Sequence, residues 1–334
     1  MRRRVGSAAA APEADDHPQA KLKKRRQRQA SAMPFVMVGV MLVIAWKVYG
    51  IARVHGIERE SPAPTDVLLV SFPKSGSNWV RFLLCGLKKK KVGAADKLSF
   101  PFVERAVPDL EYGPNRFRFR KGSRIAWKSH QPYLPNPKGA AEKPERCPLL
   151  NMESFQCLCP NCPARWRKIV YLVRDGRSVL CSYYRMQTQL GNFVGTFEGF
   201  LKSHKSKYGY AWPDHVASYF DNHDVHLLKY EDLIRHPLDT LREIAAWVGA
   251  SDTSDDTLAA LLDAASIDNM RATEKRDGTP LFDVHFPDAR DKGGFKLVGT
   301  GEIDGWRHCT DDTSLFETHV PGFNDIMANL GYDD

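Results

Sequence analysis

The chain has 334 residues, 43% hydrophobic and 26% charged, enough apolar material for a packed core in one large domain or two. Its formal net charge is +8, yet residues 1–30 hold nine basic and three acidic side chains and so carry +6 of it. A basic balance spread over the fold, the mark of a nucleic-acid binder, is thereby excluded.

In chain order, a basic tail (residues 1–32) precedes an apolar run from Met33 to Trp46. Those 14 residues fall short of the roughly 20 that span a bilayer, but continuing to Ala52 reaches that length. Lys47 is placed to snorkel, and Trp46 and Tyr49 suit an interface. The basic flank predicts a cytosolic N-terminus, so residues 33–52 read as a single-pass signal anchor with the rest of the chain lumenal. A buried or interfacial helix and an organelle-targeting leader are the alternatives. Residues 53–65, with Pro62 and Pro64, read as a short stem, and residues 66–334 as the folded domain.

Within that domain, short apolar runs alternate with amphipathic stretches. Val67–Ser71, Ile125–Trp127, Lys168–Val173 and Val225–Lys229 read as strands buried on both faces. Trp79–Lys88, Ser178–Leu190, Phe197–His204 and Leu238–Val248 read as helices. The alternation predicts an α/β fold, a central parallel β-sheet flanked by helices on both faces. Cys85 and Cys181 fall in helical segments and read as buried apolar fillers. Cys147, Cys157, Cys159 and Cys162 cluster in a Pro-rich insert, residues 131–163, too long for a mere connector. Two disulfides, a zinc knot and unpaired thiols are the alternatives; the one-residue gap between Cys157 and Cys159 is awkward for a tetrahedral site, and a lumenal location favours disulfides.

The first strand leads into Phe72-Pro73-Lys74-Ser75-Gly76-Ser77-Asn78-Trp79. Strand, glycine-containing loop, then helix is the geometry of a phosphate cradle, with backbone N–H groups, the helix dipole and two hydroxyls facing an anion. The nucleoside-triphosphatase motif places its lysine after the final glycine, beside a hydroxyl for magnesium. Here Lys74 precedes Gly76, so the loop reads as a site that needs no metal.

Residues 72–79 resemble the 5′-phosphosulfate loop of the PAPS-dependent sulfotransferases, and residues 168–185 resemble that family's 3′-phosphate-binding strand and helix. Weaker likenesses lie at Tyr230-Glu231-Asp232, at residues 265–271 and at residues 301–307, so the resemblance covers roughly residues 66–331. It implies the P-loop-NTPase-like sulfotransferase fold, PAPS as co-substrate and sulfuryl transfer to an acceptor hydroxyl. Lys74 would bind the 5′-phosphate and stabilise charge on the bridging oxygen. Ser75, Gly76, Ser77 and Asn78 would donate to that phosphate, and Trp79 and Tyr230 would lie beside the adenine. Arg174 and Ser182 would hold the 3′-phosphate, the arginine by its fork of donors. His130 would take the proton from the acceptor hydroxyl, a task suited to an imidazole. Lys128 would help to position the sulfonate.

The sequence departs from the family pattern at Gly299-Thr300, where an Arg-Lys pair usually grips the 3′-phosphate, and at Ile267, where an aromatic is commoner. Lys296, Lys292 and Arg290 are the nearby candidates for the missing charge. A lumenal enzyme of the Golgi or another endomembrane would meet glycans or secreted proteins, so a glycan acceptor is favoured over a small metabolite. The rival classes are a P-loop kinase-like phosphotransferase and a non-catalytic nucleotide-binding homologue.

Overall fold

The computed structural model describes residues 67–88, 98–109, 126–133, 168–203, 209–220, 225–279 and 296–332. The expected tail, anchor and stem, the cluster of Cys147, Cys157, Cys159 and Cys162, and Arg290 and Lys292 lie outside those residues. Among the described residues no helix is long and apolar enough to cross a membrane.

Four strands, β1 (Val67–Ser71), β2 (Ala126–Ser129), β3 (Lys168–Val173) and β4 (Val225–Lys229), form one sheet in the order β2-β1-β3-β4. Every pairing is parallel, with Val70 opposite Ser129 and Tyr171, and Val173 opposite Lys229. The helices are α1 (Ser77–Lys88), α2 (Phe100–Ala106), α3 (Gly176–Gln189), α4 (Phe197–Ser203), α5 (Trp212–Phe220) and α6 (Tyr230–Arg235). Then come α7 (Pro237–Trp247), α8 (Asp255–Ala264), α9 (Ile267–Asp277), α10 (Ser314–His319) and α11 (Phe323–Asn329). A short 3-10 turn, Gly305–His308, precedes α10.

The strands alternate their side chains between two cores. Leu69, Val170 and Leu172 face one core with residues of α1, α2, α7 and α8. Leu68, Val70, Ile169, Tyr171 and Val173 face the other with residues of α3, α4, α5 and α11. Because both faces are covered, the runs in β1 and β3 are continuously apolar rather than alternating. Each fully buried Leu, Ile, Val or Phe contributes about 1.5–3 kcal/mol. Side-chain caps set several helix starts: Ser99 for α2, Asp175 for α3, Ser254 for α8 and Ser266 for α9.

Two expectations need correcting. β4 is an edge strand: only Leu228 is buried, and Leu227 is 40% exposed. Cys181 is no apolar filler but half of a disulfide with Cys309, their Cα atoms 5.9 Å apart. That bond ties α3 to the end of the 3-10 turn and closes a separation of 128 residues. A loop of that size, once closed, removes on the order of 5 kcal/mol of chain entropy from the unfolded state. Cys85 is buried, as expected.

Candidate active site

All four parallel strands point the same way, and each ends beside a residue singled out by its chemistry. The Phe72–Gly76 loop comes after β1, His130 after β2, Arg174 after β3 and Tyr230 after β4. β1 pairs on one side with β2 and on the other with β3. Open α/β sheets bind ligands at such a switch point, beyond the carboxyl ends of the strands.

The loop after β1 is built from its own backbone. Ser75 gives both its N–H (3.3 Å) and its hydroxyl (2.9 Å) to the carbonyl of Phe72. Its hydroxyl therefore closes the turn instead of facing an anion, contrary to the expected role. Among the described residues, Lys74 is the one non-glycine with positive φ (74°), a strain of about 1–3 kcal/mol that functional sites tolerate. Gly76 has φ +103°, and a Cβ there would stand 2.7 Å from the Tyr230 ring. The first bonds of α1 run from the N–H groups of Trp79 and Val80 to the Gly76 carbonyl. The N–H groups of Gly76, Ser77 and Asn78 precede them at the positive end of the helix. The Asn78 side-chain oxygen accepts from Arg81 (3.2 Å), so the donors it can offer an anion are its backbone N–H and its side-chain amide N–H groups.

Arg174 lies over the Tyr230 ring, its guanidinium carbon 4.4 Å from the ring centre. One of its terminal nitrogens donates to the Glu302 carbonyl at 2.5 Å. Its Nε is buried with no hydrogen-bond partner among the described residues. Asp175, the neighbouring acid, binds Arg177 instead (2.9 Å) and caps α3. Trp79 meets Tyr230 edge to face at 5.7 Å, so the two expected adenine contacts form one wall. Burial, and then the positive charge of Arg174, press the Lys74 pKa down to about 8; Arg185 pushes the same way and Glu274 opposes. The charges of two arginines thus act on Lys74, a setting that favours a bound anion.

The C-terminal segment lies over the β3–α3 junction. Glu274 accepts from the N–H groups of Leu297 (2.7 Å) and Val298 (3.1 Å), and Arg271 donates to the Gly299 carbonyl. Tyr230 donates to Gly301 and Ser178 to Ile303, and the disulfide fastens Cys309. Ser182 is half-buried on α3, and Lys296 is exposed. Arg185, three residues beyond Ser182 and so on the same face of α3, escaped the sequence reading although the i, i+3 spacing could have shown it.

After β2, Lys128 is buried and forms an ion pair with Asp109. Its ammonium therefore already has a carboxylate partner, which weakens the expected sulfonate role. His130 places Nδ1 2.6 Å from the Ser71 carbonyl. A carbonyl only accepts, so Nδ1 carries the proton and the lone pair lies on Nε2. The His130 carbonyl itself lies 3.0 Å from Nε2 of His215, a wholly buried residue of α5 that the sequence reading did not single out. Burial presses the His215 pKa down to about 4, so its ring is neutral at neutral pH. Nothing local in the sequence marks His215, because its partner lies 85 residues away.

The family model for the sulfotransferase domain matches residues 64–308. Sulfotransferase 1A1 of Mus musculus is 28% identical over 201 residues, which cover 56% of this chain and 61% of that protein. Human sulfotransferase 4A1 is 27% identical over 199 residues, covering 56% and 61%. The flavonol sulfotransferase-like protein of Flaveria bidentis is 26% identical over 241 residues, covering 63% and 67%. The matches thus span about three fifths of the mouse and human relatives' length. Among solved structures, retinol dehydratase in a complex with retinol and PAP superposes with a TM-score of 0.55 at 16% identity, covering 81% of this chain and 84% of that one. That likeness shows a shared fold.

Proposed function

The chain belongs to the sulfotransferase domain family, and on that premise we propose that it moves a sulfuryl group from PAPS to an acceptor hydroxyl. The observation that carries this reading is the convergence, at one edge of a parallel sheet, of the Lys74–Asn78 loop, His130, Arg174 and Tyr230. The residues fit the co-substrate. Arg174 keeps a buried Nε without a partner among the described residues, and the loop offers helix N–H groups beside Lys74. Gly76 has no side chain where Tyr230 closes over it.

PAPS, when bound, supplies the sulfuryl group and departs as 3′,5′-ADP. Lys74 and the N–H groups of Gly76, Ser77 and Asn78 hold the 5′-phosphate end, and the ammonium offsets charge that develops as the sulfuryl–oxygen bond breaks. Arg174 and Ser182 hold the 3′-phosphate, with Arg185 supplying charge that Gly299 and Thr300 lack. Trp79 and Tyr230 flank the base. His130 takes the acceptor's proton on Nε2 as that oxygen bonds to sulfur. Lys128 stays paired to Asp109 and keeps the end of β2 in place.

The rest of the reading is lumenal. Residues 33–52 serve as a signal anchor and the folded domain lies in the Golgi or a related compartment, where a glycan hydroxyl is the favoured acceptor. The Cys181–Cys309 disulfide supports this, since disulfides persist in oxidising compartments.

Thermal unfolding of the full-length chain with 3′,5′-ADP, against ADP with magnesium, tests the nucleotide. We expect 3′,5′-ADP alone to stabilise it, by about 2.7 kcal/mol at a hundredfold excess over Kd. Stabilisation by magnesium ADP and none by 3′,5′-ADP would sink the reading in favour of a kinase.

A further inference from the structure

His130 stands on a stretch that makes little structure of its own, and α5 holds it from outside. His215 Nε2 lies 3.0 Å from the His130 carbonyl. Two residues of the next turn continue the pattern: Tyr219 donates its hydroxyl to the Gln131 carbonyl (2.9 Å), and the Ser218 hydroxyl accepts from the Tyr133 N–H (2.9 Å). Three side chains within one turn and a half of helix thus bond to three backbone groups across residues 130–133.

His215 is itself held on its other side. Its Nδ1 lies 2.9 Å from the Tyr171 hydroxyl, in the middle of β3. Because the His130 carbonyl can only accept, His215 carries its proton on Nε2, so Nδ1 accepts from Tyr171. The ring is wedged between Tyr171, stacked at 5.8 Å, and Phe72, edge-on at 5.5 Å. The hydrogen bonds run Tyr171 to His215, His215 to the His130 carbonyl, and His130 Nδ1 to the Ser71 carbonyl. They join the ends of β1 and β2 to the middle of β3.

We propose that His215, with Ser218 and Tyr219, is a positioning residue for the reaction: it fixes the backbone that carries His130 and so aims the Nε2 lone pair at the acceptor hydroxyl. The inference rests on the sulfotransferase reading. His215 touches no substrate, and a core histidine whose only role is packing would be replaceable by any residue of its size. A positioning histidine must keep its donor to the carbonyl.

The test compares full-length wild type with His215→Met, His215→Gln and Tyr219→Phe. Gln keeps an N–H near the position of Nε2; Met keeps volume and removes the donor; Phe removes one hydroxyl. For His215→Met we expect kcat to fall about 10- to 100-fold, the scale of a misplaced catalytic group. The 3′,5′-ADP affinity and the KM for PAPS should stay within about twofold, because the hydrogen bonds that close the Lys74 loop do not involve His215. His215→Gln should recover most of kcat, and Tyr219→Phe should lose a few-fold. The second readout is the imidazole 15N spectrum of His130, which reports Nδ1–H in the wild type and a mixed tautomer in His215→Met. Folded His215→Met with wild-type kcat and an unchanged His130 spectrum would overturn the proposal. If Met proves unfolded, Tyr219→Phe decides it by the same two readouts. If wild type transfers nothing to any acceptor, the sulfotransferase reading fails, while the His130 spectrum still decides the clamp.

Discussion

The strands β1 and β2 lie side by side and end at the same end of the sheet, yet the segments beyond their ends are held in opposite ways. The loop after β1 closes on itself: Ser75 bonds back three residues to Phe72, and α1 begins on the Gly76 carbonyl. The stretch after β2 is held by Ser71 and by α5, across separations of 59, 85 and 88 residues. The first is a motif that travels with its own sequence. The second keeps a local bond from the Gln131 N–H to the Ser129 hydroxyl, but most of its bonds form only once the sheet and α5 have packed. On the proposed function, binding falls to the local element and proton transfer to the assembled one, so the two should fail independently.

The largest effect on nucleotide binding should come from breaking the local loop. Gly76→Ala puts a Cβ 2.7 Å from the Tyr230 ring at φ +103°, where non-glycine residues are strained. We expect the 3′,5′-ADP affinity, measured by calorimetry, to fall about 100-fold or more, given several kcal/mol of strain and lost contact. A Gly76→Ala protein that binds 3′,5′-ADP as wild type does would show that the loop is not the phosphate cradle.

A smaller effect comes from pH. In the free protein the Lys74 pKa lies at about 8, below its ordinary 10.5, so the folded state carries the cost of this charge below pH 8 and sheds it as pH rises toward 10.5. Apo stability therefore gains from Lys74 over that window. Binding of an anion reverses the balance, since it restores the proton. The 3′,5′-ADP affinity should fall about tenfold per pH unit above 8, with close to one proton taken up on binding near pH 9. Calorimetry in buffers of different ionisation enthalpy measures this directly; no proton uptake would mean that Lys74 does not meet the phosphate.

The same contrast explains what is legible in the sequence. β1, β3 and β4 appear at the predicted residues because apolar runs and their flanking turns are local signals. The Lys74 loop and Arg174 are legible for the same reason, each lying next to a strand end. The environment of β4 is not, because no pattern within Val225–Lys229 says that it lies at the end of the sheet. The pairing of Cys181 with Cys309, the Asp109 partner of Lys128, and His215 are hidden too: each depends on a partner 19 to 128 residues away. Helix α5 is also missing from the helices read in the sequence, and it is held in the fold by burial of Trp212 against Phe323.

The central claim is that His130, held from outside, moves the proton while the Lys74 loop holds the nucleotide. The most direct measurement is transfer of radiolabelled sulfate from PAPS to an acceptor panel of glycans and phenols by wild type and His130→Ala, with 3′,5′-ADP binding measured on both. The account predicts transfer by wild type, a loss of about 10²- to 10⁴-fold in His130→Ala, the contribution of a general base, and equal nucleotide affinity. Equal transfer rates for the two proteins would contradict it.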